Sequence, residues 1–183
     1  MSEYDAFVRE RVRECYDHAR SGSGWATIRR KLGGRSPALL DLQAITTMYT
    51  LRGQHSIGVQ TVRIAQIAGS DGRCADFDAD FRPLQEHTRA RWEGIARMML
   101  GDADFPPVEL IQVGEVYFVR DGHHRISVSR ALGRVEIDAV VTVWSVDGPI
   151  PCATVSAPCH PWLAPWRSRR ARRAKLNHAL EAA

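Results

Sequence analysis

Five consecutive residues, Asp121-Gly122-His123-His124-Arg125, gather the side chains of this sequence best suited to phosphate chemistry. Glycine takes backbone angles closed to other residues and lets an anion come close to the chain. Arginine can grip phosphate oxygens with two parallel N–H groups. The two imidazoles can donate hydrogen bonds or exchange protons near neutral pH. Asp121 could orient a histidine, ligate magnesium or accept a proton from an attacking hydroxyl. The plain alternative for the same five residues is a turn with solvated histidines and a surface arginine.

The flanking elements give the turn its meaning. Val116, Tyr117, Phe118 and Val119 form an unbroken apolar run, as in a strand covered on both faces. Beyond the turn, Val128, Ala131 and Leu132 fall at helical spacing, and Gly133 is placed to end that helix as a left-handed cap. The turn is therefore also a helix N-terminus, where the first backbone N–H groups lack internal acceptors and the macrodipole attracts anions. The ligand read from this arrangement is a phosphate, carried by a nucleotide. Upstream, Pro106-Pro107 precede an apolar strand over Val108–Val113, and Gly114-Glu115 is a two-residue loop, so Val108–Asp121 reads as a hairpin delivering the turn. Trp92, Ile95, Ala96, Met99 and Leu100 trace one face of a helix closed by Gly101, and Ile137–Trp144 is a β-branched strand.

D-G-H-H-R after a strand resembles the phosphate loop of the ParB/sulfiredoxin superfamily. Sulfiredoxins carry G-C-H-R there, chromosome-partitioning ParB proteins G-E-R-R, and ADP-dependent free-serine kinases of the same fold D-G-H-H-R. The likeness covers about Val62–Trp144, where strand, helix, hairpin, helix and strand follow in the order of that core. It implies an α+β fold with a mixed sheet, in which Gly122, His123, His124 and Arg125 hold nucleotide phosphates. Arg73, in the polar turn Gly69-Ser70-Asp71-Gly72-Arg73, resembles the arginine that faces the nucleotide from the loop after the first strand. His123 stands where sulfiredoxin has its catalytic cysteine, so sulfinic-acid reduction is not expected.

Around this core, about residues 59–146, the sequence divides into an N-terminal helical arm (1–52) and a proline-rich segment with a basic tail (147–183). Tyr4, Phe7, Val8, Val12, Cys15, Tyr16 and Ala19 form an amphipathic helical stripe. Trp25–Leu32 reads as another short helix, and Ser36-Pro37 as a further helix start, with Leu39, Leu42, Ile45 and Tyr49 as its apolar face. The arm either packs on the core or forms a homodimer surface. Gly53–Gly58 marks the expected boundary, with an extended segment entering the sheet from Val59. Asp71, Asp76 and Asp78 could help hold magnesium brought by the nucleotide, or serve as loop residues and caps; no confident metal site is read.

The net charge of +4 conceals an uneven distribution. Arg167, Arg169, Arg170, Arg172, Arg173 and Lys175 supply six positive charges, leaving 19 of the 25 basic residues to face 21 acidic ones. Affinity for nucleic acid or an acidic partner would therefore reside in the tail. Cys15, Cys74, Cys152 and Cys159 form no C-x-x-C pair and are expected as reduced thiols. No apolar run approaches a membrane span and the first residues lack the order of a signal peptide, so the expected compartment is the cytosol, without membrane partners.

The leading functional expectation is a nucleotide-binding enzyme using ATP, ADP or CTP with Mg²⁺, in NTP hydrolysis or phosphoryl transfer. Asp121, His123 and His124 would be the catalytic groups, and Gly122, His123, His124, Arg125 and Arg73 the phosphate-binding ones. The alternatives are a non-catalytic module of the chromosome-partitioning kind, binding nucleic acid or a partner, and a ParB-like nuclease.

Overall fold

The run of β-branched and apolar residues on both sides of Gly114-Glu115 folds as the expected hairpin, and the sheet is built outward from it. A computed structural model describes residues 3–21, 38–101 and 103–147. In chain order they form α1 (Glu3–Ser21), β1 (Leu40–Asp41), α2 (Leu42–Met48), β2 (Leu51–Arg63), β3 (Ile67–Ser70), α3 (Arg89–Leu100), β4 (Val108–Val113), β5 (Val116–Asp121), α4 (His123–Ala131) and β6 (Glu136–Val146). The strand order is β1-β3-β5-β4-β6-β2. β1, β3 and β5 run parallel, β4 and β6 run the opposite way, and β2 closes the far edge antiparallel to β6. This is the mixed sheet of the expected α+β class.

Two apolar clusters hold the layers together. On the sheet, Val62, Ile64, Ile67, Val108, Leu110, Val119, Ala139 and Val141 pack with Phe77, Phe81 and Ile126. Beyond α4, Val12 and Tyr16 of α1 meet Trp92, Ala96 and Met99 of α3 and Val128 of α4. α4 thus lies between both clusters, and six of its nine residues are buried. One of its buried hydroxyls ties it to α3: Trp92 Nε1 donates to Ser127 Oγ at 2.8 Å, in the manner required of a buried indole N–H. The described part of the N-terminal arm packs on the core through α1, whose Tyr16 also meets Trp92 edge-on at 5.3 Å.

Two segments differ from the sequence reading. Gly53–Gly58 is not a boundary but the first half of β2, which pairs with β6 from Leu51 onward. Register shifts fall at Leu51/Gly53 and Ser56/Val59, and Gly58 has φ +74°, so the glycines mark irregularities within a strand rather than its absence. The short helix expected over Trp25–Leu32 and the helix start expected at Ser36-Pro37 lie outside the described residues, and α2 begins at Leu42. Asp41 caps it by accepting from Gln43 N at 3.0 Å, while Leu40–Asp41 pairs with Gly69–Ser70. Of its expected stripe, Leu39, Leu42 and Ile45 are buried.

The side chains of Cys15 and Cys74 are free and half-buried. Cys152, Cys159 and the basic residues from Arg167 to Lys175 lie outside the described residues. Among the described residues no helix is long and apolar enough to cross a membrane.

Candidate phosphate site

The parallel neighbours β3 and β5 end side by side, so their carboxyl ends deliver the Ser70–Arg73 loop and the Gly122 turn to one place. Asp71 N donates to Val119 O at 2.8 Å, fastening that loop to β5. In sheets of this kind the space beyond parallel carboxyl ends is the usual ligand position.

Gly122 is required there twice over. Its φ is +97°, in the left-handed region that a side chain resists, and a Cβ built on it would overlap Val108 Cγ1 and Cβ. It is the N-cap of α4, with no side-chain cap hydrogen bond. Ile126 N reaches Gly122 O at 2.9 Å, so the helix closes its first internal bond at that point and the amides of His123, His124 and Arg125 precede it. A close-approach glycine followed by an uncapped helix end suits an anion.

Both histidines are 4% exposed rather than solvated. His123 Nε2 lies 2.8 Å from Ser70 Oγ, which also accepts from Arg73 N at 3.0 Å. Phe77 stacks against His123 and meets His124 edge-on, with ring centroids 6.1 and 5.2 Å away. Burial, followed by the positive charge of Arg73, lowers both imidazoles from 6.5 to about 4, and they are neutral at physiological pH. His124 Nδ1 is buried without a hydrogen-bond partner, a state that costs about 1–3 kcal/mol unless something supplies one.

The loop carrying Phe77 is itself tightly built. Asp78 accepts from Asp80 N and Arg82 N, each at 2.9 Å, and Arg130 of α4 reaches Asp80 at 2.8 Å. Phe81, 1% exposed, is held at φ +54°. A non-glycine residue in this region costs roughly 1–3 kcal/mol and persists because its surroundings over-determine it. Phe81 and Phe77 lie with ring centroids 6.3 Å apart, and Phe77 is the wall against both histidines.

Arg125 is arranged differently from the expected phosphate fork. Its guanidinium donates to Pro106 O, to Pro107 O at 3.2 Å and to Asp121 Oδ2 at 2.7 Å, and the side chain is 13% exposed. Consecutive prolines bring carbonyl acceptors but no N–H groups, and Asp121 stands at i−4, so the arginine has nearer partners than a ligand. Arg73 is more open, at 42% exposure, and pairs with Asp76 at 3.1 Å. Asp71 pairs with Arg120 at 3.8 Å, and Asp78 is spent on loop amides. Among the described residues no group of three His, Cys, Asp or Glu is placed to hold a metal ion.

The structure therefore brings Gly122, His123, His124 and Arg73 together and turns Arg125 and Asp121 toward each other. Sequence reasoning missed two contributors. Ser70 was visible only as one member of a polar turn, although a small hydroxyl residue at a strand's carboxyl end is a natural partner for a neighbouring helix start. Phe77 gave no signal, because its place depends on the fold of the 77–83 loop.

What fold and site define together is an α+β protein with an uncapped, histidine-lined helix end at the edge of two parallel strands. No family model matches the chain, and no curated protein matches it. Among solved structures it is similar to a sulfiredoxin from Arabidopsis thaliana, at 15% identity over 45% of this chain and 82% of that chain, with a TM-score of 0.35.

Proposed function

We propose that this chain is a ParB/sulfiredoxin-type protein that binds a nucleotide by its phosphates at the Gly122 turn. The observation that carries the reading is the helix end itself: a left-handed glycine with no room for a Cβ, no side-chain cap, and a buried His124 Nδ1 without a partner. A phosphate oxygen beside the amides of His123, His124 and Arg125 would occupy those donors, and the tautomer of His124 bearing a proton on Nδ1 would add another. Arg73, the more exposed of the two arginines, would supply positive charge to the phosphate, while Arg125 holds the turn in place through the Pro106 and Pro107 carbonyls. Turnover would be NTP hydrolysis or phosphoryl transfer, catalysed chiefly by position and charge. His123 and His124, lowered to about 4, are weak bases at neutral pH and would act chiefly as hydrogen-bonding groups, with Ser70 fixing the ring of His123, while Asp121 would be the acceptor for the proton of an attacking hydroxyl. Mg²⁺ would arrive with the nucleotide, held mostly by phosphate oxygens.

The test is calorimetric titration of the full chain with ATP, ADP and CTP, each with and without Mg²⁺, beside an Arg73→Ala variant. Saturable binding to the wild type, weakened about tenfold in the variant by loss of a charged hydrogen bond, is expected. No binding of any of the three at millimolar concentration defeats the proposal. Release of inorganic phosphate without an added acceptor assigns hydrolysis; release only with an acceptor assigns transfer.

A further inference from the structure

Two arginines belong to the Gly122 site, and their guanidinium groups are engaged differently. Arg125 has both terminal nitrogens occupied by the protein: Nη1 donates to the carbonyls of Pro106 and Pro107, and Nη2 to Asp121 Oδ2 at 2.7 Å. Arg73 meets its partner through the inner nitrogen instead, with Nε 3.1 Å from Asp76 Oδ2. Among the described residues no hydrogen bond occupies its Nη1 or Nη2, the planar fork that matches two phosphate oxygens. The main chain of Arg73 is fixed to the site, because its N–H donates to Ser70 Oγ at 3.0 Å and that oxygen lies 2.8 Å from His123 Nε2. Its side chain is 42% exposed, so Asp76 is what limits where the guanidinium can go.

Asp76 is built as a fixed point. Its side chain is 18% exposed, its N–H donates to Arg73 O at 3.2 Å, its carbonyl accepts from Leu84 N at 2.9 Å, and the next residue, Phe77, is wholly buried against both histidines. The second carboxylate oxygen lies 3.9 Å from Nε2 of His87, too far for a hydrogen bond, so Arg73 is the near partner. We propose that Asp76 is a positioning residue, which holds the inner edge of the Arg73 guanidinium so that Nη1 and Nη2 face a phosphate at the Gly122 turn. This rests on the phosphate reading and adds the residue through which Arg73 is aimed. The two effects of the carboxylate have opposite signs: its charge repels an anion, whereas its hold on Arg73 assists binding. Removing the charge therefore separates them.

The probes are ADP and inorganic pyrophosphate, titrated calorimetrically at neutral pH into the full chain and into Asp76→Asn, Arg73→Ala and the double variant, with thermal melting midpoints as the folding control. Asp76→Asn is expected to bind both probes about fivefold more weakly although it removes a negative charge, because the aimed orientation of Arg73 is then one of several. In the Arg73→Ala background the same substitution should leave affinity unchanged or raise it. Arg73→Lys keeps the charge but cannot be held by one nitrogen while offering two others, and it should also bind more weakly, a result that does not depend on Asp76→Asn folding. Without ligand, the Arg73 Nε–H signal of the ¹⁵N-labelled chain should stand apart in the wild type and join those of exposed arginines in Asp76→Asn. Unchanged or tighter binding by Asp76→Asn, an equal weakening in the Arg73→Ala background, or wild-type affinity in Arg73→Lys overturns the proposal. Binding of neither probe by the wild type defeats the phosphate reading and this proposal with it; binding of pyrophosphate without ADP defeats the nucleotide reading alone, and the pyrophosphate titrations then decide the role of Asp76.

Discussion

At the scale of single residues, the two buried histidines give the protein a pH signature. Their folded value is about 4 against 6.5 for the free side chain, lowered first by burial and then by Arg73. Above pH 6.5 neither state is protonated and the stability they allow is fully present. As pH falls from 6.5 toward 4, the unfolded chain takes up protons first, and stability should fall by roughly 3 kcal/mol for each histidine. Urea denaturation at intervals across that window should show the decline, with a smaller slope in His124→Gln; a flat profile contradicts the assignment. Gly122→Ala faces both a left-handed backbone at φ +97° and overlap with Val108, and should cost about 2–5 kcal/mol in the same assay. The special backbone of Gly122 was legible in the sequence because Asp-Gly breaks an apolar run just before a helical stripe. The burial of His123 and His124 was not, because it depends on Phe77 and Ser70, which approach from another part of the chain.

At the scale of elements, the close packing of β3 on β5 sets the spacing of the two loops. Gly69 pairs in register with Phe118, and a Cβ on Gly69 would run into the Phe118 ring and stand 3.0 Å from Leu40 O. Gly69→Ala should therefore destabilise by about 1–3 kcal/mol through overpacking. Combining it with Phe118→Leu should recover part of that loss, and additive costs in the double-mutant cycle would contradict the packing argument. The hairpin, α3 and α4 were legible because their apolar periods are clean and Gly101, Gly114 and Gly133 punctuate them. β2 was misread because Gly53 and Gly58 are ordinarily breakers; pairing along β6 overrides that preference in a strand of 13 residues, with irregularities at those glycines. The role of Arg125 was equally beyond the sequence, since the carbonyls of Pro106 and Pro107 are brought to it by tertiary structure.

At the scale of the whole molecule, a short buried helix carries the candidate site. α4 is packed between the sheet and the α1–α3 layer, so its N-terminus is rigidly aimed. That arrangement makes the helix end preorganised, and binding need not first order it. The most direct measurement is an ADP titration of the ¹⁵N-labelled full chain, followed by amide shifts and by ring signals of the histidines. The predicted result is saturable movement of His123, His124 and Arg125 amides, with Ser70 and Arg73 following and the His124 ring responding. Shifts confined to the arginine-rich stretch from Arg167 to Lys175, or no shifts at all, would contradict the claim that the Gly122 turn holds phosphate.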